Sequence, residues 1–344
     1  MEMKERQPVY YSNYLQLDKI LNAQQPESEK EGVRADDEML FIIIHQTYEL
    51  WFKQILHELS IVCEIFNQPN IQNNTPDIYN SVHRLKRICN ILEVAVLQMG
   101  VLETMTPLDF LDFRDLLRPA SGFQSIQFKM IEATLGLSYE NRFGKTYYLS
   151  QLTPADVQRV KDLEHKKSLL SLINQWLERM PFVNNKEYWE GDTDASFWKQ
   201  YRAAYHGSLM EVEQPNLYVF DSLFVDDANY PQGRAFSADA SRNALFIMLY
   251  RDQPLLQLPY ELLNTLMEID ESLAMWRQRH IHMVQRMIGK RVGTGGSTGA
   301  EYLRGAAESH YVFKELAELT SFLLPRHMLP ELPDKVIHDL SFRK

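Results

Sequence analysis

The sequence predicts an all-α protein: a helical bundle with a helical insertion in the middle of the chain. Apolar residues recur at three- and four-residue steps along most of its 344 residues. Strand-like alternation is sparse. Clusters of Asn, Pro and Gly punctuate the chain at spacings that suit helices.

The first strong helical period runs from Asp36 to Asn67, with Asp36, Asp37 and Glu38 at its start, where negative charge suits the helix dipole. The tract NQPNIQNNTPD reads as a loop. A second helix is expected over Ile78–Glu103, with Leu85, Ile88, Leu92, Val96 and Met99 on one stripe. Thr106-Pro107 opens a third, short helix, Thr as cap and Pro in the first turn. Arg118-Pro119 ends it, because a residue before proline avoids the α region. Ser121-Gly122 restarts a helix through GFQSIQFKMIEATLG. The stretch from Leu137 to Ser237 is less regular, with amphipathic helices expected around Pro154–Arg179 and Asp194–Val212. Glu213–Ser237, rich in Asp, Asn, Pro and Gly, reads as a loop or mobile insert. Periodicity resumes over Ala238–Arg251, a long helix covers Tyr260–Ile288, and a last long helix reaches Leu324 after the loop KRVGTGGSTG. The whole is read as one domain, 1–344, with 137–237 as an insertion within it.

Composition is that of an ordinary globular chain, 45% hydrophobic and 24% charged. A net charge of −10 argues against a nucleic-acid partner, which would favour a basic face. Apolar runs such as Met39–Ile44 are far short of the roughly 18 residues of a membrane span, so no membrane partner is expected. The N-terminal MEMKERQPVYYSNY has no apolar core of a secretory signal. The two cysteines, Cys63 and Cys89, sit in apolar helical surroundings and read as free thiols of a reducing, cytoplasmic protein.

Two of the ten histidines stand out. In MWRQRHIHMVQRMIG, helix projection places Leu273, Trp276, His280, Val284 and Met287 on one stripe. His282 falls with Gln278, Gln285 and Arg286 on a polar face, so the two imidazoles cannot share a metal. His280 is then either a metal ligand or a core histidine bonded to a carboxylate or carbonyl. His45 closes the apolar run FIIIH, with Phe41 one turn before it and Tyr48 one turn after. It reads as a pocket wall or as a satisfied core residue. Arg114, among Phe110, Phe113, Leu116 and Leu117, needs a carboxylate, from the protein or from a ligand. No zinc-type Cys/His spacing, HExxH or CxxCH occurs. A single histidine in apolar, sulfur-rich surroundings is the weak signature that non-covalent haem leaves. The loop GTGGSTG lacks the Lys-Ser/Thr ending of a phosphate loop and follows a helix, so it suits close approach to a ligand or closure over one.

Several segments, in order, resemble the tryptophan 2,3-dioxygenase family: YYSNYLQLDKILNAQ, DEMLFIIIHQTYELWFKQILHEL, VLETMTPLDFLDFRDLLRPASGFQSIQF, MLYRDQPLLQLPYELLNTLMEID, WRQRHIHMVQRMIGKRVGTGGSTGAEYLR and FLLPRHMLP. The resemblance implies a helical bundle around a haem b pocket, L-tryptophan and O2 as substrates, cleavage of the indole C2–C3 bond to N-formylkynurenine, and a homotetramer built as a dimer of dimers. It assigns His280 as the axial iron ligand and His45 as the histidine beside the indole N–H. Phe41 becomes the wall over the indole, Arg114 the partner of the substrate carboxylate, and Thr294 the loop contact to its ammonium and carboxylate. Phe110 and Leu117 match pocket positions and Ser121 a haem-side position. Tyr11 and Tyr14 match residues of an N-terminal segment, 1–30, that reaches a neighbouring subunit. The chain departs from the family pattern at Asp36, Arg118, Thr298 and Ala300, which leaves room for a changed ligand or reaction. The rival readings are a haem mono-oxygenase of the same superfamily acting on a tryptophan or tyrosine derivative, a haem-binding protein without turnover, and a helical interaction module without cofactor.

Overall fold

The computed structural model describes residues 8–69, 71, 76–183, 188–189, 197–289, 291, 293 and 300–341. Among the described residues all regular structure is helical. Short helices α1 (Tyr11–Leu15), α2 (Leu17–Leu21) and α3 (Glu27–Lys30) lead into α4 (Glu38–Phe66), α5 (Pro76–Leu102) and α6 (Pro107–Arg114). Next come α7 (Ile126–Leu135), α8 (Lys145–Ser150), α9 (Pro154–Glu164), α10 (Leu169–Glu178), α11 (Phe197–Ser208) and α12 (Asn216–Phe224). The chain closes with α13 (Ala238–Leu249), α14 (Gln257–Ile288), α15 (Ala300–Ser309), α16 (Lys314–Glu318) and α17 (Asp334–Leu340).

The frame is α5 packed between α4 and α14, with α7 against α4 and α15 against α14. Each long helix buries one stripe: Phe52, Ile55, Leu59 and Val62 on α4; Leu85, Ile88, Leu92 and Met99 on α5; Leu262, Leu266, Ile269 and Leu273 on α14. Tyr48 Oη donates to the Ala95 carbonyl at 3.0 Å and Gln98 Nε2 to the Ile44 carbonyl at 3.0 Å, which fixes the register of α4 on α5. Buried residues of the expected insertion, among them Leu172, Trp176, Tyr201 and Phe220, belong to the same connected core as those of α4, α5 and α14.

Helix starts follow capping chemistry. Thr106 and Asp109 form a reciprocal capping box on α6, with Pro107 at its first position. Glu38 stands in the first turn of α4, as expected, and does more there. Its carboxylate accepts the backbone N–H groups of Glu27 and Ser28, both at 2.9 Å, and so ties α3 to the start of α4.

Four expectations are corrected. Ser121 caps only a single 3-10 turn, Gly122–Gln124, and α7 begins afterwards under its own cap, Ser125. Pro154–Arg179 is two helices, because Ser168 accepts the Ser171 N–H and starts α10 anew. Glu213–Ser237 is not simply loop. NLYVFDSLF places Phe220, Leu223 and Phe224 on one face, and their burial holds α12 in the core. The rest of that tract is tied down by Glu315, which accepts the N–H groups of Ala235 at 2.7 Å and Phe236 at 3.2 Å. The last helix stops at Ser309. His310 and Phe313 are buried, Asp270 accepts the Val312 and Phe313 N–H groups, and the chain restarts as α16. The loop 294–299 lies outside the described residues.

Candidate active site

A cavity of about 290 Å³ opens between α4, α6, α7, α14 and α15. Phe41, His45, Phe110, Arg114 and Ser121 line it, with Trp276, His280, Val284 and Met287 of α14. Stripe and pocket therefore coincide from Trp276 to Met287, while Leu273 one turn earlier is core. His282 is exposed and pairs with Gln278 at 3.0 Å, on the polar face that the projection gives it.

His45 has a defined tautomer. Its Nδ1 lies 2.7 Å from the carbonyl of Phe41, one turn back on α4. A carbonyl only accepts, so Nδ1 carries the proton and Nε2 is left as an acceptor. Burial pushes the imidazole below its ordinary pKa, against smaller opposing effects of that carbonyl and of Glu49. The ring is neutral at pH 7. Phe41 packs 4.1 Å from the His45 ring, with Phe110 at 5.7 Å and Phe113 at 5.6 Å, centroid to centroid. Together they make an aromatic cluster, with Phe113 edge-on to the other two phenyl rings.

His280 is placed differently. Burial, and then the charge that His45 would carry, press its pKa down to about 4. Its Nδ1 is buried and has no hydrogen-bond partner among the described residues. Trp276 stacks on the imidazole at 5.3 Å with ring planes 18° apart, and its Nε1 is likewise buried without a partner among the described residues. Buried polar atoms are rarely left so. A satisfied core histidine would have shown the carboxylate or carbonyl that holds it. Helix α14 ends just beyond, at Gly289, whose φ of +56° and ψ of −120° suit glycine.

Arg114 is 5% exposed at the C-terminal turn of α6, where a cation meets the helix dipole favourably. Ser121 lies in the pocket wall. Leu117 is half-buried, packs on the core and is not among the residues lining the cavity. Tyr11 and Tyr14 are 75% and 74% exposed on α1 and do not line it either. Thr294 lies outside the described residues.

Sequence reasoning passed over the polar side of this pocket. Glu49, one turn beyond His45, has its carboxylate and its backbone carbonyl both held by Gln127 Nε2 at 2.8 Å. Lys129, Glu132, Arg277 and His310 also line the cavity. Burial lowers Lys129 to about 8, while the charges on Arg277 and Arg142 help hold Glu132 well below the usual carboxylate range against the opposing effect of burial. The available signal was Arg277, which shares a helix face with Leu273 and Ile281, both buried.

The family model described as tryptophan 2,3-dioxygenase matches residues 2–323. A tryptophan 2,3-dioxygenase of Alteromonas mediterranea is 42% identical, over 98% of this chain and 99% of that one. That of Bdellovibrio bacteriovorus is 40% identical, over 97% and 98% respectively. That of Xenopus laevis is 40% identical, over 94% of this chain and 84% of its own.

Proposed function

Since the chain belongs to the tryptophan 2,3-dioxygenase family, we propose that its cavity is where the family's reaction runs, with His280 as the residue that would hold the iron of a haem b. The activity is that of an oxidoreductase: a dioxygenase that cleaves the indole ring of L-tryptophan with O2, the step that opens the kynurenine route of tryptophan degradation. The product is N-formylkynurenine.

One observation carries the cofactor assignment. A neutral, half-buried imidazole whose buried Nδ1 has no partner among the described residues lines a largely apolar cavity together with a second neutral imidazole. A ligand histidine has to be neutral, so that one ring nitrogen offers a lone pair to iron. Bound haem would supply the activation of O2 that amino-acid side chains lack.

The protein's own residues then bind, orient and exclude water. Phe41, backed by Phe110 and Phe113, forms the slot for a flat indole. His45 Nε2 accepts the indole N–H and fixes which way the ring faces. It positions and need not abstract the proton, because an indole N–H is a very weak acid. Arg114 takes the substrate carboxylate in a two-pronged pair. Thr294 contacts the amino-acid end, Leu117 supports the wall from behind, and Ser121 stands on the cofactor side. The aromatic and methionine lining keeps bulk water from the reacting ring.

The assembly is proposed as a homotetramer, a dimer of dimers, in which residues 1–30 bring Tyr11 and Tyr14 to a neighbour's pocket. Both are large, exposed and without a role in their own chain's cavity. Among the described residues no single helix is long and apolar enough to cross a membrane. A cytoplasmic setting is proposed.

Steady-state kinetics with L-tryptophan under O2 test the substrate assignment. Removing Arg114 leaves the substrate carboxylate unpaired, which costs roughly 2–5 kcal/mol. Arg114→Ala is expected to raise KM strongly, and an unchanged KM would refute the assigned role.

A further inference from the structure

Glu132 gathers three separate segments onto the helix that bears His280. It is 5% exposed on α7 and lines the cavity. One oxygen accepts from Arg277 at 2.7 Å and lies 3.4 Å from His310 Nδ1; the other accepts from Arg142 at 2.5 Å. Arg277 also donates to the His310 carbonyl at 3.0 Å. The Phe143 N–H donates to His310 Nε2 at 3.0 Å, so Nδ1 carries the proton and points it at Glu132. Arg277 stands one turn ahead of His280 on α14. His310 follows directly on α15, whose Leu303 and Ala306 line the same cavity. The fit there is close: a Cβ on Gly305 would stand 2.5 Å from the Phe143 ring.

The charges matter as much as the contacts. Lys129, Arg142 and Arg277 stand against Glu132 and Glu164, the last 3.7 Å from Arg142. These five groups carry one net positive charge, and a neutral side chain at 132 would leave two. In a low-dielectric wall that difference is weakly screened.

We propose that Glu132 is a positioning residue of the reaction: it holds the Arg277 guanidinium against the wall and keeps α15 in register with α14, and so sets both the charge beside His280 and the fit of the substrate. This rests on the haem reading above. In this role Glu132 acts through Arg277 and His310.

The test uses the full haem-loaded chain with Glu132→Gln and Glu132→Asp. Wild type comes first: failure to bind haem or to cleave tryptophan overturns the functional reading and is seen before any variant is made. Glu132→Gln is expected to raise the iron midpoint potential, because a positive charge is left uncompensated. It should also raise the KM for L-tryptophan about tenfold, the equivalent of one lost charge-assisted contact, with a smaller change in kcat. Glu132→Asp keeps the charge but shortens the reach, so the potential stays at the wild-type value while KM still rises. A folded Glu132→Gln with wild-type potential and KM overturns the proposal. Should that variant not hold haem, amide exchange in the cofactor-free chain decides. Residues 303–313 exchange faster in Glu132→Gln than in wild type if Glu132 pins them, and equal exchange overturns the inference.

Discussion

His45 shows how a single backbone contact can decide chemistry. The Phe41 carbonyl accepts a hydrogen bond from Nδ1–H at 2.7 Å, which leaves Nε2 of this cavity-lining residue as the acceptor. Only the neutral ring can accept the indole N–H. Burial lowers the His45 pKa, Glu49 opposes this, and the charge of a protonated His45 would in turn bear on His280. As pH falls through that lowered value, Nε2 gains a proton and the acceptor is lost. The acid limb of kcat/KM is therefore expected below the ordinary imidazole value of about 6.5. His45→Asn, which keeps an oxygen acceptor, should flatten that limb. A limb at or above the ordinary value in wild type would contradict the assignment. His45 and His280 were legible in the sequence because each lies on an apolar stripe of a single helix. Glu132, Arg142 and His310 were not, because their meaning comes from three segments far apart in the chain that meet only on folding.

At the scale of elements, the long helices follow period and caps. Pro107 behind Thr106, and Ser237 capping α13, open helices where the sequence has them. The misreadings have physical causes. Asn, Asp and Pro around Glu213–Ser237 signal turns, yet three apolar residues on one face suffice to hold α12 once the core receives them. The break after Ser309 depends on Asp270, a residue of α14 that no local pattern connects to Val312 and Phe313. That carboxylate is buried, and burial raises its pKa to about 6. A folded value above the unfolded one means that the native state binds more protons between the two. The Asp270 contribution is thus present at low pH and lost as pH rises through about 6. Asp270→Asn should make unfolding free energy less dependent on pH between about 4 and 6, the interval between the ordinary and raised values. Asp270→Ala leaves two buried N–H groups without acceptors and should cost about 1–3 kcal/mol for each. Denaturant unfolding across that range measures both, and an unaltered pH slope in the Asn variant would count against this account.

For the whole molecule, large apolar side chains stand on the outside of rigid helices: Leu97 at 76% exposure, Leu108 at 74%, and Tyr11 and Tyr14 on α1. Such surface suits burial against further copies. A homotetramer of 40.4 kDa chains is expected in sedimentation, and a species of single-chain mass at micromolar concentration would argue against it. His280 is neutral and half-buried, its buried Nδ1 has no partner among the described residues, and the functional reading stands on its holding iron. The direct measurement is the haem absorption spectrum of purified wild type and His280→Ala, followed by turnover of L-tryptophan under 18O2 with mass analysis of the product. The account predicts a haem-bearing wild type whose product carries both labelled atoms. It predicts a folded His280→Ala that has lost the histidine-ligated spectrum and the turnover. A His280→Ala protein that keeps the wild-type spectrum and rate would contradict it, as would a product with a single labelled atom.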